Sequence, residues 1–385
     1  MHRMAKGIRV LSLFDGISCG MVALKRLGVK VNRYVAYEID GDAIKVSKYN
    51  FSQIEHKGDV FEANFTQYEG FDLLIGGSPC TYWSIAKAGN NGEKGERETT
   101  ASGLGWDLFS QYVRALKEAK PKYFLYENNA SMSDEIRECI SKELGCKPIE
   151  IDSADFSAQH RNRLYWTNIS IEEWTKSELV FDDIIDKDTP YKYRNFEKYK
   201  DTVKVSKDGL SVRFDTSGKG QYGQANRAKK TNQKWNTLLA SGQNKNDVWV
   251  DDYISRHITP IEAERLQTLP DNYTEILSSE AKRTKVCGNG WTVDVIAHIC
   301  SSIPNVETYK EKAKLKFGDL FKNKNHRILY LGTYNRKRML YNIELKRYKF
   351  VDDKWITKKV VHVIKSYGHD KRCENLRNRG IENAK

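Results

Sequence analysis

Residues 8–169 alternate between short apolar runs and longer stretches that carry an apolar residue every three or four positions. The short runs are typical of buried strands and the longer stretches of amphipathic helices. In chain order, the predicted strands are residues 8–14, 33–38, 71–75, 122–126, 148–152 and 164–167. The predicted helices between them are residues 21–27, 42–49, 106–116 and 133–144. This alternation predicts an α/β fold with a doubly wound, Rossmann-like sheet.

The pattern changes after residue 169. Residues 170–255 show few helical patterns and predict a small irregular or β-rich domain, although an ordinary connector is the alternative reading. Residues 256–303 return to helical patterns, starting with Thr259 as N-cap before Pro260 and with Glu262 at the third helical position, as in a capping box. Residues 327–334, 338–350 and 354–364 alternate polar and apolar positions. The predicted domains are therefore 1–169, 170–255, 256–303 as a return to the first domain, and a β-rich appendage at 304–385.

The whole net charge of +13 lies in the appendage. Residues 304–385 contain 22 of the 64 Lys and Arg residues and 9 of the 51 acidic residues, which leaves 42 of each in residues 1–303. Such a basic block indicates a polyanionic partner such as nucleic acid. A solubilising tail explains the same charge.

Composition narrows the class of protein further. No apolar run reaches the roughly 18 residues needed to cross a membrane, and residues 1–7 lack an apolar secretory core. We therefore expect an intracellular protein without a membrane partner. The seven cysteines include no CxxC pair, so neither a disulfide framework nor a structural zinc site is expected and no metal is assigned.

The most informative stretch is the apolar run at residues 71–75, which leads through two glycines, Ser78 and Pro79 to Cys80. In open α/β folds ligands bind at the carboxyl edge of the sheet, where this thiol is expected. The strand at 122–126 delivers Glu127 to the same edge, and a thiol beside a carboxylate forms a plausible catalytic pair. A lone Pro-Cys pair is also common in loops without a task. The polar residues 81–105 predict a mobile lid beside Cys80.

A nucleoside-binding site is predicted at the first strands. Strand 8–14 runs into a glycine turn before a helix, and Glu38 at the next strand end suits the hydroxyls of a ribose. Asp59, at the following strand end, can reach an adenine amino group. The chain has neither the six-residue dinucleotide turn nor a P-loop, so a nucleoside without a pyrophosphate fits better than NAD or ATP. S-adenosylmethionine is the commonest such cofactor.

Two further segments offer groups for an anion or a base. Arg161 and Arg163 alternate next to the strand at 164–167, so we expect both on one face, where they could hold a phosphate or pair with the carboxylate. Residues 218–227 combine glycines with amide and guanidinium groups that can read base edges.

Taken in order, these residues resemble the motifs of the DNA cytosine-5 methyltransferase family over residues 8–303. The opening, the Gly-Gly-Ser-Pro-Cys turn and the tryptophan of the last motif are most similar to the animal de novo branch. Asn129 stands where the family usually has valine. The matching segments are Phe14-Asp15-Gly16 with Gly20, Glu38, Asp59, Gly77-Ser78-Pro79-Cys80, Glu127-Asn128, Gln159-x-Arg161-x-Arg163 and Gly288-Asn289-x-Trp291.

The resemblance implies a small bacterial or phage-like enzyme that flips a cytosine out of duplex DNA and methylates carbon-5. The implied catalytic residues are Cys80 as nucleophile, with Glu127, Arg161 and Arg163. The implied contacts of S-adenosylmethionine are Phe14, Asp15, Gly16, Ile17, Ser18, Gly20, Glu38, Ile39, Asp59, Val60, Pro79, Leu108, Asn289 and Trp291. Residues 170–255 become the target-recognition domain, and the implied DNA contacts are Ser84, Lys87, Lys219, Gln221, Gln224, Arg227 and Thr237.

The resemblance also bears on partners. Double-stranded DNA is the expected partner, a restriction endonuclease is compatible with it, and a cytoplasmic monomer in a bacterial or phage-infected cell is expected. Two alternatives remain open: a cytosine-5 methyltransferase that acts on tRNA, and a DNA-binding regulator that keeps the fold without activity.

Overall fold

The computed structural model describes residues 7–84, 97–216, 227–240 and 247–303, together with five short segments, 319–323, 326–334, 337–342, 347–351 and 363–366. The chain divides into two compact units. One consists of Met1–Leu24 and Val31–Val306, and the other of Lys25–Lys30 and Glu307–Lys385.

The larger unit is built on a sheet of seven strands. They are β1 Ile8–Leu13, β2 Val31–Tyr37, β3 Glu55–His56, β4 Leu73–Gly76, β5 Tyr123–Asn129, β6 Ile149–Asp152 and β7 Asn162–Thr167. Their order is β3-β2-β1-β4-β5-β7-β6. Strands β1 to β5 pair in parallel, while β7 runs antiparallel to both β5 and β6. The predicted doubly wound α/β fold is thereby confirmed.

Helices follow the strands as their apolar periodicity predicted. The first four are α1 Cys19–Arg26, α2 Gly41–Asn50, α3 Leu104–Ala119 and α4 Asp134–Leu144. On α3, Phe109 and Tyr112 are fully buried and lie 5.1 Å and 4.9 Å, ring centre to ring centre, from Tyr126 of β5. This aromatic contact fixes α3 against the two strands, β4 and β5, that carry the predicted catalytic pair.

Strand β5 is longer than its apolar run predicted. The run ends at residue 126, but the strand continues to Asn129 because β7 pairs with it, from Leu125↔Thr167 to Asn129↔Arg163. Glu127 therefore lies inside a strand rather than in the loop that follows it. The strand holds its backbone on both sides of the residue.

A second sheet, of six strands, lies in the region predicted to be irregular or β-rich. The strands are β8 Tyr193–Asn195, β9 Lys204–Val205, β10 Ser211–Arg213, β11 Arg227–Lys229, β12 Asp247–Asp251 and β13 Ile254–Arg256. They are ordered β8-β13-β12-β11-β10-β9. Phe196, Val212, Phe214 and Ala228 form its small core, in which the two phenylalanine rings stack with centres 4.3 Å apart.

The chain then returns to the first sheet with three helices, α5 Pro260–Leu266, α6 Glu280–Asn289 and α7 Val293–Cys300. Thr259 caps α5, and Glu262 completes the capping box that the sequence predicted. No helix in the described ranges is long and apolar enough to cross a membrane.

The second unit contains an antiparallel sheet of five strands, β14 Asp319–Asn323, β15 His326–Tyr334, β16 Lys337–Asn342, β17 Arg347–Val351 and β18 Val363–Ser366, in the order β17-β16-β15-β14-β18. The alternating pattern at residues 338–350 covers two strands, β16 and β17, which pair with each other from Arg338↔Val351 to Asn342↔Arg347. The alternating pattern at 354–364 falls largely outside the described residues.

Candidate active site

The turn that carries Cys80 begins where β4 ends, at Gly76. A Cβ atom on Gly76 would lie 2.9 Å from the carbonyl oxygen of Leu13, so only glycine lets β4 pass β1 this closely. Pro79 has φ −50° and precedes a single helical turn, Cys80–Tyr82. The carbonyl oxygen of Cys80 accepts hydrogen bonds from the backbone of Trp83 and Ser84, at 3.1 Å and 2.9 Å. The turn therefore holds a half-buried thiol at the carboxyl edge of the sheet.

Asn128, on the neighbouring strand, ties this turn to β5. Its Nδ2 donates to the carbonyl oxygen of Ser78 at 3.2 Å and to the hydroxyl of Tyr126 at 3.1 Å. The hydroxyls of Ser78 and Tyr126 lie 2.6 Å apart. Because all three side chains are buried, these contacts keep the Cys80 turn in register with Glu127.

The carboxylate of Glu127 is held at both oxygens. Nε of Arg163 lies 2.9 Å from Oε1, and Nε1 of Trp291 donates to Oε2 at 2.8 Å. The side chain of Glu127 is 11% exposed. Since each carboxylate oxygen has two lone pairs, each can accept one further hydrogen bond from a bound molecule.

Gly77 makes room for this arrangement. A Cβ atom at Gly77 would lie 2.8 Å from Oε2 of Glu127 and 3.3 Å from Nε1 of Trp291. Any side chain at this position would have to displace the carboxylate or the indole. The two glycines at the end of β4 therefore each allow a close contact: Gly76 with the backbone of β1, and Gly77 with the side chain of Glu127.

The two predicted arginines have different partners. Arg163 lies in β7 and reaches Glu127, whereas Arg161 precedes the strand and donates to the carbonyl oxygens of Leu238, Gly288 and Gly290, each at 3.0 Å. Burial, followed by the neighbouring Arg163, lowers the pKa of Arg161 to about 10, which leaves it charged at neutral pH. Arg161 therefore joins the segment that follows β11 to the segment that carries Trp291.

Sequence reasoning missed several residues around that segment. Gln267 is fully buried, and its Nε2 donates to the carbonyl oxygens of Cys287 and Gly290 at 2.7 Å and 3.2 Å. Thr292 donates to Oε1 of Gln267 at 2.8 Å and accepts from Ser153 at 2.9 Å. Contacts on both sides thus fix Trp291. The one sequence feature that indicated a structural role for Gln267 is its position at the end of the helix that Thr259 caps.

The glycine turn between β1 and α1 has an unusual backbone. Phe14, Gly16 and Ser18 adopt φ values of 56°, 57° and 60°, and only glycine adopts this left-handed region without strain. The carboxylate of Asp15 holds the turn by accepting from Ser12 and Tyr34, at 2.6 Å and 2.7 Å, and also from Ser18. Strained backbone that is held this firmly is typical of a ligand site. Burial raises the pKa of Asp15.

Glu38 links this turn to the next strand end. Its Oε2 accepts from the backbone N–H of Gly16 at 2.7 Å, and its Oε1 accepts from the N–H groups of Ile39 and Asp40, each at 2.8 Å. Burial raises the pKa of Glu38 although these three donors oppose the shift. A Cβ at Gly16 would meet nothing within 4 Å, so there is open space beside the turn.

The other residues predicted to bind the cofactor differ in burial and in the contacts they make. Ile39 is 74% exposed, and Asp59 accepts from the backbone N–H of Phe61 at 3.0 Å. Ile17, Gly20 and Val60 are buried, and a Cβ at Gly20 would collide with Ile75 at 2.3 Å, so this glycine lets α1 pack on the sheet. Leu108 packs against the core and Asn289 is exposed at the end of α6.

Three of the predicted DNA contacts are described. Ser84 lies directly after the Cys80 turn. Thr237 donates its hydroxyl to the carbonyl oxygen of His160 at 2.7 Å, which places it beside the Arg161 segment. Arg227 is a half-buried residue of β11. The predicted contacts Lys87, Lys219, Gln221 and Gln224 lie outside the described residues, as do residues 85–96 of the lid predicted at 81–105.

The described end of that loop is anchored to the body of the protein. Glu98 accepts from Nε1 of Trp83 at 3.2 Å and from the backbone N–H of Gly105 at 3.1 Å. Arg97 donates to the carbonyl oxygen of Ser131. Among the residues that the structure describes, no three His, Cys, Asp or Glu side chains cluster as a metal site would require.

Comparison with known proteins gives a family match over most of the chain. A family model described as C-5 cytosine-specific DNA methylase matches residues 8–177 and 170–305. The second match extends through the six-stranded sheet to the end of α7. The two matches therefore include every residue of the site described above.

Individual relatives agree with this match. The orphan methyltransferase M.SPRI of Bacillus phage SPR is 38% identical over 123 residues, 31% of this chain, and the chain spans only 26% of that protein. The type II methyltransferase M.FnuDI of Fusobacterium nucleatum is 26% identical over 351 residues, 80% of this chain and 97% of that protein. The Entamoeba histolytica methyltransferase EhMeth is similar in fold, with a TM-score of 0.53 at 15% identity over 77% of this chain and 98% of its own.

Proposed function

The chain belongs to the C-5 cytosine-specific DNA methylase family, and we propose that it methylates carbon-5 of a cytosine in duplex DNA with S-adenosylmethionine as the methyl donor. One observation carries this proposal. The Glu127 carboxylate is held by Arg163 and Trp291 beside the turn that presents Cys80. A thiol and a fixed carboxylate at neighbouring strand ends are the groups that addition to a pyrimidine ring requires.

Cys80 is the nucleophile in this proposal. Carbon-5 of cytosine is too weak a nucleophile to react unaided, so the Cys80 thiolate first adds to carbon-6, and the electron pair of the 5,6 double bond moves toward carbon-5. S-adenosylmethionine supplies the electrophilic methyl group. Loss of the proton from carbon-5 re-forms the double bond and releases the sulfur. In the net reaction a methyl group replaces this proton and the Cys80 thiolate is regenerated.

Glu127 stabilises the ring during this addition. One carboxylate oxygen accepts from the exocyclic amine of cytosine, and a proton shared between the other oxygen and ring nitrogen 3 balances the electron density that enters the ring. Arg163 and Trp291 orient the carboxylate for this task. Arg161 acts indirectly, as a positioning residue that holds the carbonyl groups of Gly288 and Gly290 in the segment directly before Trp291.

The residues near the glycine turn fit S-adenosylmethionine. Oε2 of Glu38 can accept from a ribose hydroxyl because it accepts only one backbone hydrogen bond, whereas Oε1 already accepts two. The exposed Ile39 offers an apolar surface to the adenine ring, and Asp59 suits the adenine amino group. On the resemblance, the same site includes Phe14, Asp15, Gly16, Ile17, Ser18, Gly20, Val60, Pro79, Leu108, Asn289 and Trp291.

The target cytosine must leave the duplex, because a stacked base cannot reach a thiol at the sheet edge. In this proposal the methyl transfer takes place in the domain formed by residues 1–169 and 256–303. The DNA is recognised by residues 170–255. The basic residues 304–385 strengthen DNA binding. We further expect a cytoplasmic monomer in a bacterial or phage-infected cell, in keeping with a role beside a restriction endonuclease.

Covalent trapping tests the mechanism. On a duplex that carries 5-fluorocytosine the last step cannot occur, since fluorine replaces the departing proton. The wild type is expected to form an adduct that survives a denaturing gel and requires S-adenosylmethionine, whereas Cys80→Ala forms none. Cys139→Ala, which removes a half-buried thiol of α4, is the matched control. An adduct formed by Cys80→Ala would exclude Cys80 as the nucleophile.

Methyl transfer to different nucleic acids tests the substrate. With a labelled methyl donor, the wild type is expected to label mixed-sequence duplex DNA and not bulk tRNA. The opposite preference would favour the tRNA methyltransferase. If neither is labelled while DNA is bound, the chain is a regulator that has kept the fold.

A further inference from the structure

Three cationic side chains, which we call the cationic row, lie side by side in the second sheet. Arg213 of β10 is directly opposite Lys204 of β9 and Arg227 of β11. The residues next to this row, Val212 and Ala228, are buried in the core of the sheet. Because successive side chains of a strand point to opposite faces, the three cations share the face that is turned away from that core.

The row places like charges against each other. Cations directly opposite in an antiparallel pair destabilise a sheet, and here two such pairs share Arg213. Burial, and then the charge of Arg213, lowers the pKa of Arg227. Within the described residues, Nε of Arg227 is buried without a hydrogen-bond partner. A buried donor without a partner is costly, so Arg227 is placed to receive an acceptor that carries negative charge.

We infer that the cationic row binds the phosphate backbone of duplex DNA, an inference that rests on the proposed function. A guanidinium group matches a phosphate with two parallel hydrogen bonds. Adjacent strands are about 4.8 Å apart, so the row extends over roughly 10 Å. A base edge offers one pair of neutral acceptors and cannot neutralise several cations. Arg227, predicted from the sequence to read base edges, thus positions the duplex instead.

The chain path places the row near the active site. Trp235 follows Arg227 by eight residues and pairs with Gln159, just before Arg161. The backbone of His160 also donates to the carbonyl oxygen of Trp235 at 2.8 Å. Eight extended residues span at most about 29 Å. Arg227 therefore lies within that distance of Trp235, which pairs beside the Arg161 segment.

Salt dependence of DNA binding tests this inference. The full-length variants are Arg213→Gln and Arg227→Gln, with Lys230→Gln as the matched control. Lys230 follows β11, and its ammonium group lies 5.0 Å from the ring centre of Trp249. For a duplex of random sequence, the slope of log Kobs against log salt is expected to become shallower by about one in each arginine variant and to stay unchanged in the control. The thermal unfolding midpoint of Arg213→Gln is expected to equal or exceed that of the wild type, since one opposed charge is gone.

Three results would overturn the inference. The first is a slope that neither arginine variant changes. The second is a changed preference at one base position in Arg227→Gln, which would make Arg227 a reader of bases. The third is saturable binding of inorganic phosphate to the wild type together with unchanged DNA binding by the variants, which would make the row a small-anion site.

Methyl transfer by the same preparations separates this inference from the proposed function. If the wild type methylates duplex DNA and all variants share its slope, the cationic row alone is rejected. If the arginine variants lower the slope but the wild type transfers no methyl group to DNA, the row stands and the proposed function is rejected.

Discussion

The indole of Trp291 donates a hydrogen bond from Nε1 to Oε2 of Glu127 at 2.8 Å, across 164 residues of chain. This contact joins the last motif of the sequence to the carboxylate at the centre of the site. Trp291 was predicted to contact the cofactor, and in the structure it contacts the acid. In the proposed enzyme the tryptophan therefore positions Glu127 for the base, in addition to any contact with the methyl donor.

Replacing Trp291 by phenylalanine tests this role. The ring remains but the N–H donor to a charged group is lost, and such a hydrogen bond contributes about 1.5–3 kcal/mol. If it acts in the transition state, kcat for DNA methylation is expected to fall about 10- to 100-fold. The KM for S-adenosylmethionine is expected to change little, which steady-state kinetics can measure. Trp249→Phe removes an indole donor of the second sheet and serves as control. An unchanged kcat in Trp291→Phe would assign the tryptophan to packing alone.

Gly77→Ala is expected to disturb the same carboxylate from the other side. The added methyl group would lie 2.8 Å from Oε2 of Glu127, so either the carboxylate or the turn that carries Cys80 must move. We expect kcat to fall at least about tenfold and the free energy of unfolding to fall by about 1–3 kcal/mol, the usual cost of overpacking. Gly41→Ala is the control, because a Cβ there meets nothing within 4 Å. Equal kinetics for the two alanine variants would contradict this prediction.

Substitution of Arg161 is expected to lower mainly the stability of the protein, and substitution of Arg163 mainly its kcat. Arg161→Lys loses hydrogen bonds to buried carbonyl groups on two distant segments, and each unsatisfied group costs about 1–3 kcal/mol. Urea unfolding should therefore show a loss of about 2 kcal/mol or more. Arg163→Lys keeps a charge beside Glu127 but loses the planar guanidinium, so kcat should fall while stability changes less. The reverse ranking of the two variants would reject the division of roles.

The buried Asp15 predicts a pH dependence of stability. Because burial raises its folded pKa above 3.8, the folded protein holds this proton more tightly than the unfolded chain does. The stability that Asp15 contributes is therefore fully present below that value and is lost as pH rises through the folded pKa. The difference in unfolding free energy between the wild type and Asp15→Asn is expected to decline from about pH 4 upward and then level off. A difference that is constant with pH would show that the carboxyl titrates alike in both states.

Much of the fold was predictable because the relevant forces are local. The apolar runs predicted β1 and β4 to within a residue or two, and the Thr259 capping box predicted the start of α5. Such patterns depend on residues close in sequence. The pattern is less informative at residues 338–350, where strand-like alternation covers both β16 and β17 and does not mark the reversal of the chain between them.

The sequence predicted which residues form the candidate site better than it predicted the hydrogen bonds between them. A motif order pointed to Cys80 and Glu127, but nothing near residue 161 indicates that its guanidinium binds carbonyl groups at residues 238, 288 and 290. Nothing near residue 291 indicates its bond to Glu127. Tertiary structure decides these contacts, because it brings together segments that are far apart along the chain.

The hydrogen bond between Trp291 and Glu127 also decides when the candidate site becomes complete during translation. A ribosome that has made Glu127 must add 164 more residues before Trp291 exists. At about 5–20 residues per second this takes roughly 8–33 seconds. During that interval the nascent chain has the proposed nucleophile and acid but lacks the indole that holds the acid. In the proposed enzyme, methylation would thus begin only after residue 291 has been added.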